Sequence, residues 1–140
     1  LGHGEGVTRL NKPTRLPSPL GGERAVSVSV GYYHSLALSA DGSVWSWGQL
    51  GHGDEQQNQL LPKKVEAFST QRVIAVSAGG CHSLALTADG AVWSWGDGSS
   101  GRLGHGDAQN QLLPKKIEAF TGQRVVAVSA GDGHSLALTA

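Results

Sequence analysis

The feature that most constrains this chain is a string that returns. His34-Ser35-Leu36-Ala37-Leu38-Ser39-Ala40-Asp41-Gly42-Ser43-Val44-Trp45-Ser46-Trp47-Gly48 recurs from His82 to Gly96, and its opening recurs, with Thr139 for Ser39, from His134 to Ala140. The three histidines stand 48 and 52 residues apart. A second block, Leu50-Gly51-His52-Gly53-Asp54 followed by Leu61 to Phe68, returns as Leu103 to Asp107 and Leu113 to Phe120. A diverged copy opens the chain as Leu1-Gly2-His3-Gly4-Glu5, then Pro13 to Leu16. Self-similarity at about 50 residues marks one supersecondary unit used several times, each unable to bury its apolar face alone.

Within a unit the apolar period is that of strands. Val73, Ala75 and Ser77 alternate with Ile74 and Val76, Leu84 and Leu86 alternate with Ser83, Ala85 and Thr87, and Val92-Trp93-Ser94-Trp95 follows a turn at Asp89-Gly90. Asp-Gly at 41–42 and 89–90 suits tight hairpins, because Gly accepts positive φ and Asp bonds the local backbone. A fourth strand is expected through Val65 to Phe68 and Ile117 to Phe120, entered after a Pro that cannot donate to a ladder. Helices are disfavoured, since 21 glycines would interrupt them repeatedly.

Four short antiparallel strands per unit predict an all-β chain, a β-propeller fragment of four-stranded blades. Residues 1–24 form the outer portion of one blade, 25–72 and 73–124 two nearly complete blades, and 125–140 the inner strands of another. Ala75, Ala85 and Gly79 are expected to lie against the bulkier Leu86, Val92 or Trp95 of a neighbouring blade. The sheet edges at either end invite pairing with further sequence or with another chain, two such chains giving about six blades. Gly48 is followed by Gln49 before Leu50, where Gly96 is followed by Asp97 to Arg102 before Leu103, so the first loop is either shortened or lacks residues.

The composition narrows function. Eleven basic and eleven acidic residues balance, with no long basic run, so direct nucleic-acid contact is not expected. No apolar run approaches the roughly 18 residues of a membrane span. The single Cys81 forms no intrachain disulfide and favours a reducing, intracellular setting, nucleus or cytoplasm.

The strings Gly79-Gly80-Cys81-His82-Ser83-Leu84-Ala85-Leu86, Val92-Trp93-Ser94-Trp95-Gly96 and Gly101-Arg102-Leu103-Gly104-His105-Gly106 together resemble the regulator of chromosome condensation repeat family, over essentially the whole chain. The resemblance implies a seven-bladed propeller that binds proteins. Some members act as guanine nucleotide exchange factors for a small nuclear GTPase, and others stand beside ubiquitin-ligase modules. Exchange in that family needs a protruding wedge, and no insertion stands out as one. The light-sensing branch carries Trp and Arg in a Gly-Trp-Arg-His-Thr string. The matching positions here are Gly31-Tyr32-Tyr33-His34-Ser35, Gly79-Gly80-Cys81-His82-Ser83 and Gly131-Asp132-Gly133-His134-Ser135, without either residue.

Candidate chemistry is weighed against structural duty. His34, His82 and His134 form one repeated class and His3, His52 and His105 another; the first secures strand entry and the second braces a Gly-rich loop through backbone hydrogen bonds. Metal binding would need three or four converging ligands, which repetition alone does not provide. Adjacent strand residues point to opposite faces, so Ser35, Ser83 and Ser135 are not paired with the histidines beside them. Trp47 and Trp95 belong to the packing framework. Asp54 and Asp107 are loop carboxylates, and the loop from Gly98 to Gly106 lacks the Lys of a phosphate loop.

No cofactor and no catalytic residue is expected. The residues that vary in repeated settings, Tyr32, Tyr33, Cys81 and Asp132, are the candidates for partner specificity, joined by the repeated pairs Lys63, Lys64 and Lys115, Lys116. The function expected is a scaffold presenting propeller-face loops to a partner protein. Nucleotide exchange on a small GTPase and structural self-assembly are the alternatives.

Overall fold

A computed structural model describes residues 2–17, 20–48 and 59–140. His52, Asp54 and Gln49, with the loop comparison that turns on it, lie outside the described residues. The chain is all-β. Strands β1 (Ala25–Val30), β2 (His34–Ser39), β3 (Val44–Gly48) and β4 (Gln59–Lys64) form one four-stranded antiparallel sheet in sequence order. Strands β5 (Val73–Ala78), β6 (His82–Thr87), β7 (Val92–Gly96) and β8 (Gln111–Lys116) form a second, and β9 (Val125–Ala130) with β10 (Ser135–Thr139) a third of two strands.

The Asp-Gly hairpins form as their chemistry requires. Gly42 takes φ 88°. The Asp41 carboxylate accepts the Ser39 hydroxyl at 2.6 Å and the Ser43 amide and hydroxyl at 2.9 Å each. These donors, the Ser39 hydroxyl foremost, hold the Asp41 carboxyl down at about 2. Thr87 and the Ala91 amide serve Asp89 in the same way.

The fourth strand lies earlier than the sequence pattern suggests. It ends at Lys64 and Lys116, and Glu66–Phe68 and Glu118–Phe120 are 3₁₀ turns. Pro62 and Pro114 sit inside the outermost strands, where a missing N–H removes no ladder bond. Val65 and Ile117 donate backbone N–H to the carbonyls of Val44 and Val92, turning their own side chains and Phe68 inward.

The sheets meet through their first two strands, β1 and β2 against β5, and β5 and β6 against β9, as blades fanned about an axis do. One face of the first sheet (Leu36, Leu38, Val44) packs on Ala85 and Trp95 of the second, with Val76, Ala78 and Trp93 at the margin. Leu86 and Val92 of the second sheet pack in the same way toward Val128 and Ala137 of the third. Trp95 therefore shares a face with Ala85 instead of opposing it. Across this face the register runs from Ala78 on the innermost strand through Ser83 to Trp95 on the third, and from Val76 through Ala85 to Trp93, so both rows end on a tryptophan. Leu16, Leu20 and Trp45 close around Ala37 and Trp47 on the outer part of the first sheet. Val28 and Val30 on β1 and Leu136 and Leu138 on β10 are exposed on the outward sides.

Candidate partner-binding face

The loops joining β1 to β2, β5 to β6 and β9 to β10 share one construction. In each, the glycine N–H of residue 31, 79 or 131 donates to the carbonyl of His34, His82 or His134, at 2.9, 2.8 and 2.9 Å. Glycine is required because the loops touch: a Cβ on Gly79 would fall on the His82 ring and lie 2.5 Å from the Gly131 carbonyl oxygen. The next residues bond sideways. Tyr32 N–H donates to Gly80 O at 3.0 Å, and Gly80 N–H to Asp132 O at 3.2 Å. Three equivalent positions thus carry, in a row, a Tyr, no side chain and an Asp.

The row lines an open depression of about 280 Å³, bounded by Tyr32, Gly80, Asp132 and the small residues Ala78, Gly79 and Gly131. Tyr32 and Tyr33 are 66% and 64% exposed, and their rings meet edge to face at 6.3 Å and 82°. The Asp132 carboxylate leans over Gly80. Its charge, then its hydrogen bond with the phenol, push the Tyr32 pKa up. Cys81 is half-buried with a free thiol, and its carbonyl accepts Asp97 N–H.

The structure brings Tyr32, Tyr33, Cys81 and Asp132 together on neighbouring loops and leaves the lysines elsewhere. Lys64 and Lys116 close the outermost strands at the end bearing the Asp-Gly hairpins, opposite Trp45 and Trp93 in register; Lys63 and Lys115 are exposed beside them. The expectation missed Arg102, whose guanidinium meets Asp97 at 3.2 Å and approaches the Gly133 loop. The sequence signal for it is the stretch from Asp97 to Arg102 before Leu103, where Gln49 alone stands before Leu50.

Beneath the loops, the histidines join blades. His34 Nε2 lies 2.9 Å from Ser83 Oγ, and His82 Nε2 lies 2.9 Å from Ser135 Oγ. Ser135 donates its one proton to Arg102 O at 2.7 Å, so its oxygen accepts from His82 Nε2–H and fixes that tautomer. The same reasoning fixes His105, which donates to Ser94 Oγ while Ser94 donates to Leu103 O. His105 therefore braces its glycine-rich loop on Ser94, whose hydroxyl passes its own proton to Leu103 O.

Burial foremost, then the charge of His82, lowers His34 to about 4, and burial lowers His82. A Ser beside a His suggests a nucleophile, but Ser83 and His34 are fully packed away from any substrate. His134, at the edge of the third sheet, is exposed. Trp47 and Trp95 are buried. Among the described residues, no cluster of three His, Cys, Asp or Glu could hold a metal ion, and no helix is long and apolar enough to cross a membrane.

Comparison with known proteins gives the same architecture. The sequence profile of the Regulator of chromosome condensation (RCC1) repeat matches residues 1–38, 41–86 and 89–138. The chain is 44% identical to the E3 ubiquitin-protein ligase HERC2 of Homo sapiens over 123 residues, which is 83% of this chain and 2% of the ligase. It is 39% identical to the Ultraviolet-B receptor UVR8 of Arabidopsis thaliana over 84% of this chain and 28% of the receptor. The chain thus spans less than a third of these relatives. Among solved structures it resembles Prp20p of Saccharomyces cerevisiae, described with its binding to Gsp1p and histones, at a TM-score of 0.77 and 24% identity, over 87% of this chain and 32% of Prp20p. Human WBSCR16 gives a TM-score of 0.77 and 24% identity over 89% of this chain and 33% of that protein.

Proposed function

Because the chain belongs to the regulator of chromosome condensation (RCC1) repeat family and has its β-propeller blades, we propose that it is a scaffold that engages a partner protein through the loops after β1, β5 and β9. The observation that carries this reading is the contrast within those loops. Their glycines, hydrogen bonds and underlying histidines repeat, while the outward residues change from Tyr32-Tyr33 to Gly80-Cys81 to Asp132-Gly133. A rigid frame with variable tips is how binding specificity is placed on a fold. Two exposed tyrosines add rigid apolar area with polar ends, the residue type enriched at interface centres.

The test is affinity capture with cross-link mapping, using the wild-type chain and a Tyr32→Ala/Tyr33→Ala variant. Cross-links are expected on residues 31–33, 79–81 and 131–133, with capture weakened about tenfold or more in the variant, as for loss of an aromatic anchor. Cross-links confined to β4 and β8 and unchanged capture would overturn the reading. Since Prp20p is described with Gsp1p, a nucleotide-release assay on small GTPases serves as a second arm, and acceleration there would make the partner a GTPase.

A further inference from the structure

Resting on the partner-binding reading of this face, we propose that the row Tyr32, Gly80, Asp132 is a seat for a cationic side chain, Lys or Arg, presented by the partner protein. The polar atoms around the depression are almost all acceptors. The amides of Gly31, Tyr32, Gly79, Gly80 and Gly131 are each committed to a carbonyl oxygen, so these five have no N–H left for an anion. The carbonyls that receive these bonds keep a second lone pair, and Asp132 adds a carboxylate.

The neighbouring charges agree. Asp132 forms no ion pair among the described residues, whereas Arg102, the nearest cation to this loop, is held by Asp97 at 3.2 Å and by Ser99 O at 2.9 Å. Gly80 has no side chain to stand between Asp132 and Tyr32, and a Cβ there would collide with the Asp132 carboxylate and lie 2.9 Å from the Asp132 carbonyl. Tyr32 and Tyr33 complete the seat with exposed rings, against which a cation gains electrostatic attraction when it lies within about 6 Å of a ring centroid. The charge of Asp132 and the two rings select the same ligand chemistry, and an acidic segment would meet only repulsion.

The experiment titrates the isotopically labelled full chain at low ionic strength with acetyl-Gly-Arg-Gly-amide, its Lys counterpart and its Glu counterpart, following amide resonances. Saturable shifts are expected at Tyr32, Gly80 and Asp132 with the Arg and Lys peptides and not with the Glu peptide. They should weaken about fivefold in Asp132→Asn, the scale of one exposed charge pair. Asp132→Ser serves as a second charge-free variant, and thermal unfolding checks that both fold. No saturable shift, an equal response to the Glu peptide, or unchanged binding in a folded charge-free variant would overturn the proposal. Loss of the seat with persistent partner cross-links on these loops would leave the scaffold reading standing; absence of both would remove the two together.

Discussion

His34 on β2 meets Ser83 on β6 at 2.9 Å, one blade reaching the next through a buried imidazole and a buried hydroxyl. Ser83→Ala would leave the His34 Nε2 atom without this partner in a site closed to water. The expected cost is about 1–3 kcal/mol of unfolding free energy, the usual penalty for orphaning a buried polar group. Urea unfolding of the two proteins measures it, and an unchanged midpoint would show the contact to be energetically idle.

Acid should loosen the same contacts. Above pH 6.5 His34 is neutral whether folded or unfolded, so its contribution to stability is intact. As pH falls from 6.5 toward about 4, the unfolded chain takes up a proton that the folded one refuses, and stability falls. The loss reaches roughly 3 kcal/mol once both states are protonated. Nδ1 of His34 and of His82 is buried with no hydrogen-bond partner among the described residues, so a proton there would be an unpaired interior charge. Asp41, held near 2 by Ser39 and Ser43, releases its own contribution only below its ordinary value of 3.8. Denaturant midpoints across this range should therefore fall in two separate windows, and a flat profile between 6.5 and 4 would contradict the burial of His34.

Gly79→Ala should be far worse than Gly106→Ala. At Gly79 the new methyl meets the His82 ring and the neighbouring loop's Gly131 carbonyl, neither free to yield; overpacking of this kind costs about 1–3 kcal/mol or more. At Gly106 nothing lies within 4 Å, and the strain comes only from φ 83°, about 1 kcal/mol for a residue with a Cβ in the left-handed region. Thermal unfolding of both variants gives the ranking, and a reversed order would mean that the loops do not touch as described.

Removing the Asp132 charge should lower the Tyr32 phenol pKa toward its ordinary value of 10.0, since that charge and its hydrogen bond are the leading causes of the rise. Ultraviolet titration of Asp132→Asn against wild type, with Tyr33→Phe in both to isolate one phenol, reports it. An unshifted curve would place the carboxylate away from Tyr32.

Much of this was visible in the residues. The alternation in Leu84-Ala85-Leu86 and the Asp-Gly turns identify strands and hairpins because both depend on neighbours in sequence. The fourth strand was misplaced because Val65 and Phe68 carry an apolar signal that burial in a 3₁₀ turn satisfies as well as a strand does, while Pro62 looked like an entry point when its place is an outer edge. Opposite faces for His34 and Ser35 followed from the period of two. That His34 should find Ser83 did not, for this depends on how one sheet leans on the next. The Tyr32 to Asp132 row was legible only as variation among otherwise constant positions; the sideways hydrogen bonds that align it belong to the assembled blades.

The row from Ala78 through Ser83 to Trp95 acts as a wedge: side-chain volume sets how far one sheet is rotated from the next. Angular pitch is therefore written into residue size strand by strand, and a circle closes only when the accumulated rotation reaches a full turn. Enlarging the inner positions or trimming the outer tryptophans would alter the number of blades such a circle accommodates while leaving each blade's own hydrogen bonding untouched.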